Sequence, residues 1–146
     1  MTLINKKVTL VIVITLLSTA IFSQANSENL KPEHKIIFQL TSNDTIVHKQ
    51  LIKQFNNILS VSPSTKIELV CHGAGIDMLI VGKTIVEDKM KLLADKGVVF
   101  NACDFSINER KIDRSKISSI SRFVPAGIIE IVTKQEQGWS YIKAGN

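Results

Sequence analysis

The residue with most chemistry to offer is Cys103, which closes the stretch Gly97-Val98-Val99-Phe100-Asn101-Ala102-Cys103-Asp104, where an apolar run turns polar. A thiol inside such a run packs, whereas one at its end can face a cleft and act as a nucleophile once ionised. A helix starting just after it would help, because unpaired N–H groups and the positive end of the helix dipole favour the thiolate. Asn101, Asp104, Arg110 and His72 are the supporting candidates. Arg110 and Lys111, a helical turn or two further on, add positive charge, and Asp104 opposes them. The competing reading of Cys103 is a packed residue that ends a core strand.

The second thiol, Cys71, is followed directly by His72. Neighbours in a strand point to opposite faces, so this adjacency does not put imidazole against thiol. A Cys71–Cys103 disulfide is the alternative: it is reachable if the two strand ends are neighbours about 4.8 Å apart and out of reach if another strand lies between them. His72, Gly73 and Gly75 suggest either a small-ligand loop or a tight turn whose glycines permit positive φ, without the longer glycine pattern of a phosphate cradle. Three scattered histidines and two cysteines have no metal-ligand spacing, and no Ser/His/Asp arrangement is recognisable. Neither a metal nor an organic cofactor is expected.

Positioning Cys71 and Cys103 requires a scaffold, and the apolar pattern predicts one. Lys35 to Leu40 reads as a first strand. Ile46, Val47, Leu51, Ile52, Phe55, Ile58 and Leu59 then recur at helical spacing, with candidate caps before them and Ser62-Pro63-Ser64 after. Lys66 to Cys71 is a second strand, and a helix from about Thr84 turns Ile85, Val86, Met90, Leu92 and Leu93 inward before Gly97 closes it. Val98 to Ala102 is a third strand, and a short helix around Phe105 to Lys111 follows. Ser119 to Val124 is a fourth strand, Ile128 to Gln137 a helix and Trp139 to Lys143 a fifth strand. Strands alternating with helices imply right-handed crossovers: an α/β fold, a three-layer sandwich around a mostly parallel sheet of about five strands, covered on both faces. Ligands of such sheets collect beyond the carboxyl ends of the strands. Both cysteines fall at that edge.

Residues 1–25 read differently. Lys6 and Lys7 precede an uncharged apolar run from Val8 to Phe22, and Ser23-Gln24-Ala25 places small residues at the −3 and −1 positions of a signal-peptidase site. The expectation is a signal peptide cleaved after Ala25, then a flexible mature terminus over residues 26–34 and one domain over residues 35–146. That makes the protein periplasmic or otherwise exported, touching membrane only through the signal segment if it stays uncleaved. Without Lys6 and Lys7 the 18 basic and 13 acidic residues of the whole chain leave a net charge of +3. This mild excess, with one Trp and one Tyr, argues against nucleic acid. The run Arg110, Lys111, Arg114, Lys116 and Arg122 is interleaved with Glu109 and Asp113, as on a solvated face, or it steers an acidic partner or small anion toward Cys103.

The strand ending Val70-Cys71-His72-Gly73-Ala74-Gly75-Ile76, the stretch Gly97 to Cys103, the segment Val124-Pro125-Ala126-Gly127-Ile128-Ile129-Glu130-Ile131-Val132 and the closing Gln135-Glu136-Gln137-Gly138-Trp139-Ser140-Tyr141-Ile142-Lys143, in this order, resemble the DsrE/DsrF-like family. The resemblance runs from about Lys35 to Gly145. It implies a small α/β domain that assembles into homo-oligomers, and in the family's sulfur-relay members a cysteine after the third strand carries sulfur as a persulfide. Cys103 matches that position. The resulting expectation is an exported sulfur carrier or thiol-redox accessory, served by a sulfur-donor or thiol-redox protein, rather than a self-sufficient enzyme. The alternative is a non-catalytic oligomeric module that binds a small ligand or a protein, with Cys103 structural.

Overall fold

The computed structural model describes residues 33–145. The expected signal segment and most of the expected flexible terminus lie outside these residues. The elements are β1 (Lys35–Leu40), α1 (Thr45–Val61), β2 (Lys66–Cys71), a 3₁₀ turn (Gly73–Leu79), α2 (Glu87–Asp95), β3 (Val99–Cys103), α3 (Asp104–Glu109), a second 3₁₀ turn (Arg114–Lys116), β4 (Ser121–Val124), α4 (Gly127–Glu136) and β5 (Ser140–Ala144). The five strands form one sheet in the order β4-β3-β2-β1-β5, with every neighbouring pair parallel. Among the described residues no helix is long and apolar enough to cross a membrane.

This order has a direct consequence for the helices. From β1 to β4 each strand is laid beside the last in one direction, so right-handed crossovers put α1, α2 and α3 on one face. The step from β4 to β5 runs back across the sheet and puts α4 on the other. The packing agrees with this. Phe38, Leu69 and Phe100 from the strands share the main core with Leu51 and Phe55 of α1 and Met90 and Leu93 of α2. Phe38 and Phe55 meet edge to face with ring centroids 4.9 Å apart. On the opposite face, Ile37 and Val70 pack against Ile131 of α4 and against Trp139.

One expectation needs correction. Ile85 and Leu92 do not face inward; both are exposed, because α2 starts at Glu87 and only Met90 and Leu93 fall on its sheet side. The two faces are also covered unequally. A lone helix lies on the second face, and its outer side leaves Ile128, Ile129 and Val132 in solvent.

Candidate functional site

In an open parallel sheet, a crevice forms at the carboxyl edge where neighbouring strands send their chains to opposite faces. Here that point lies between β3, which leads to α3, and β4, which leads to α4. Cys103 is the last residue of β3 and pairs in register with Val124, the last of β4. The thiol therefore sits at the switch point.

Side-chain alternation decides what surrounds it. Cys71 pairs with Ala102, so Cys71 points into the core beneath α1 and α2, and Cys103, one residue later, points to the α4 face. Continuing that register by one residue brings His72 beside Cys103 on the same face. The pairing of neighbouring strands that a disulfide required is present, yet both cysteines are free and point to opposite faces. The expected Cys71–Cys103 bridge is thus replaced by a Cys103–His72 neighbourhood. Cys71 is fully buried, and burial pushes its thiol far above the ordinary range.

The helix that addresses the thiol is α4. The Gly127 N–H donates to Cys103 Sγ at 3.2 Å. A side chain at Gly127 would be crowded, since a Cβ there would lie 3.0 Å from Val70 Cγ1 and 3.3 Å from the Cβ atoms of both Cys103 and His72. Glycine lets the first turn of α4 descend onto the strand ends, which aims its unpaired N–H groups at sulfur. Cys103 itself is 4 % exposed.

His72 is held from its other side. The Tyr141 hydroxyl donates to Gln39 Oε1, and with the amide so oriented Gln39 Nε2 donates to His72 Nε2 at 2.6 Å. Burial lowers the pKa of His72, because desolvation disfavours the imidazolium, and a donor aimed at Nε2 works in the same direction. The unfolded chain consequently binds a proton at His72 at a higher pH than the native one does. Stability from this group is complete above the ordinary histidine pKa of about 6.5 and is lost as pH falls through the lowered native value. In urea titrations between about pH 7 and 5, His72→Gln should flatten the fall in stability that the parent shows; an unchanged slope would assign that fall to other groups.

The remaining expected residues go elsewhere. Asn101 shares the α4 face and is likewise buried, two residues before Cys103, donating from Nδ2 to Glu68 Oε2 at 3.0 Å. Arg110 does not reach toward Cys103; it pairs with buried Asp77 at 2.7 Å and donates to the Gly73 carbonyl at 2.9 Å, which ties down the loop after β2. With Lys83 2.7 Å from its other oxygen, Asp77 keeps its carboxyl below the usual range, the two cations outweighing burial. Asp104 pairs with Arg114, whose guanidinium also lies 3.9 Å over the Phe123 ring. Two of the five basic residues of the run, Arg110 and Arg114, are therefore held in local pairs. Sequence reasoning missed Gly127, Gln39 and Tyr141, although Pro125-Ala126-Gly127 between a strand and a helix marked a place where backbone could approach a strand end. Among the described residues no group of three or more His, Cys, Asp or Glu is gathered as a metal would require.

The fold has counterparts among solved proteins. The chain is similar to a solved protein of unknown function from Methanobacterium thermoautotrophicum, at 24 % identity and a TM-score of 0.72 over 76 % of this chain and 99 % of that one. It is also similar to a conserved protein of unknown function from Bacteroides thetaiotaomicron, at 16 % identity and a TM-score of 0.62 over 75 % of this chain and 93 % of that one. Both likenesses concern the fold. No curated protein sequence matches the chain. The model of the DsrE/DsrF-like family matches residues 35–144, which takes in all five strands, the switch point and α4, and the chain belongs to that family.

Proposed function

We propose that this protein is an exported sulfur carrier or thiol-redox accessory that works through Cys103. The observation that carries the reading is the Gly127 N–H on Cys103 Sγ at the switch point, with His72 beside it on the same face. In the carrier step the Cys103 thiolate attacks the outer sulfur of a donor persulfide. A new S–S bond forms at Cys103, the donor's S–S bond breaks, and the donor leaves as a thiolate. The sulfur oxidation level moves with the transferred atom, so no separate oxidant or organic cofactor is needed. The thiol proton passes to solvent or to the departing donor thiolate, and the first turn of α4 stabilises the Cys103 anion. Export rests on the pattern of residues 1–25.

A second reading has its own support. Cys103 is almost fully buried, and Ile128, Ile129 and Val132 form an apolar stripe on α4 suited to a second copy of the chain. An oligomeric binding module with a structural thiol would have both features. Intact-mass spectrometry after incubation with a sulfane-sulfur donor, with alkylation and peptide mapping, separates the two. A carrier gains one sulfur on Cys103, reversed by reductant, with none on Cys71 and none in Cys103→Ser. A Cys103 that neither takes up sulfur nor alkylates in the native protein would leave the binding module. The same spectrum of protein from the producing cell tests cleavage, which leaves Asn26 first, and sedimentation velocity tests self-assembly.

A further inference from the structure

The outer surface of α1 and α2 carries a groove unrelated to the thiol. Lys49, Lys53 and Asn56 recur along α1 at i, i+4 and i+7, and Lys89, Leu92 and Lys96 along α2 at i, i+3 and i+7, so each helix offers one continuous stripe. The stripes line a hollow of about 340 Å³ with Ile52 also in its wall. Through Asn56 and Lys96 it continues into a wider hollow of about 630 Å³ that reaches Pro63.

Among the described residues the groove lysines make no direct ion pair. None of Lys49, Lys53, Lys89 and Lys96 has a described carboxylate within 4 Å, and Lys96 donates only to Asn56 Oδ1 at 3.4 Å. Among these residues Lys35, Lys111, Lys116, Arg122 and Lys143 are likewise unpaired, so what distinguishes the four is their shared hollow. Glu87 and Asp88, the acidic residues opening α2, pair with Lys91. Lysines on helices are usually a solvated face. Here four of them converge on a concavity that also exposes Leu92, at 63 %. Like charges gathered without counter-charge repel one another, and a bound anion relieves that repulsion.

From this convergence we infer that the α1–α2 groove is a docking site for an acidic protein segment. Lys49 and Lys53 are one helical turn apart, about 6 Å along the axis, which suits successive carboxylates of a peptide, and Leu92 offers a contact for one apolar side chain. No aromatic residue lines the groove to stack a base, and its concave shape does not fit a membrane surface. The groove lies on the helices opposite α4 and the Cys103 thiol, so a partner bound there leaves the carboxyl edge open.

The test is fluorescence anisotropy on the full chain with a labelled twelve-residue glutamate-rich peptide carrying one leucine, at about 20 mM and about 150 mM salt. Saturable binding that weakens with salt is expected, with affinity falling roughly tenfold in Lys53→Gln/Lys89→Gln. Lys111→Gln/Lys116→Gln, an equal charge change on another exposed segment, should leave it unchanged. Absence of saturable binding at low salt, or equal losses in the two double variants, would overturn the proposal. Tighter binding of a single-stranded oligonucleotide or an anionic vesicle than of the peptide would overturn it as well.

Discussion

Gly75→Ala is expected to lose about 3 kcal/mol of stability or more, enough to leave a small domain largely unfolded near physiological temperature. A Cβ at this position would lie 2.2 Å from the Leu40 carbonyl oxygen and 2.6 Å from its carbon. Both are backbone atoms at the end of β1, a central strand hydrogen-bonded to β2 and β5. The Leu40 carbonyl also accepts the His72 N–H at 3.1 Å, so moving it breaks a bond at the candidate site. No flexible side chain is available to yield. The nearby Gly73 differs in kind: its φ is +55° and nothing lies within 4 Å of a Cβ built there. Ala74→Ser, between the two and only half-buried, serves as a control expected within about 0.5 kcal/mol of the parent. Urea midpoints measure all of these, and a Gly75→Ala midpoint matching the control would sink the account.

The second large effect belongs to the pair that pins α4 to the sheet. Lys134 forms an ion pair with Glu68 on β2, whose other oxygen accepts from Asn101 on β3, and the Lys134 ammonium lies 4.7 Å over the Trp139 ring. Glu68 is 9 % exposed in its side chain and Lys134 18 %. Lys134→Ala should strand a buried carboxylate and destabilise the protein by about 2–3 kcal/mol, below the range for fully buried pairs because Lys134 keeps some solvent. Joining it to Glu68→Gln should recover much of that loss, since the uncompensated charge is gone while the amide oxygen still accepts from Asn101. The double-mutant cycle read by urea unfolding tests this. Additive losses would mean that the two charges are not coupled. Because α4 supplies the Gly127 N–H, Cys103 alkylation should quicken in Lys134→Ala.

Much of the scaffold was legible because local chemistry and tertiary packing agree. Lys35–Leu40 and Lys66–Cys71 are strands with the bounds that their β-branched and apolar runs predict, and the helical spacing of Leu51, Ile52 and Phe55 matches their burial. The glycines of the His72-Gly73-Ala74-Gly75 loop were less legible. Both read as turn residues, but only Gly73 has a positive φ, and the need at Gly75 comes from β1, over thirty residues earlier. Leu92 was misread for a related reason: beside a buried Leu93, an apolar residue on a short helix looks like core until the direction of the sheet is known.

By itself the sequence determined the α/β class, the family resemblance and the placement of Cys103 at a strand's carboxyl end, since all three follow from apolar periodicity and the order of motifs along the chain. Tertiary structure alone decided which face the thiol takes. Strand order and register exist only between distant segments, so a one-residue offset separates Cys71 from Cys103 across the sheet and sets His72 beside Cys103. The return of the chain from β4 across to β5 brings Gly127 onto the sulfur, a contact spanning 24 residues that no local pattern encodes.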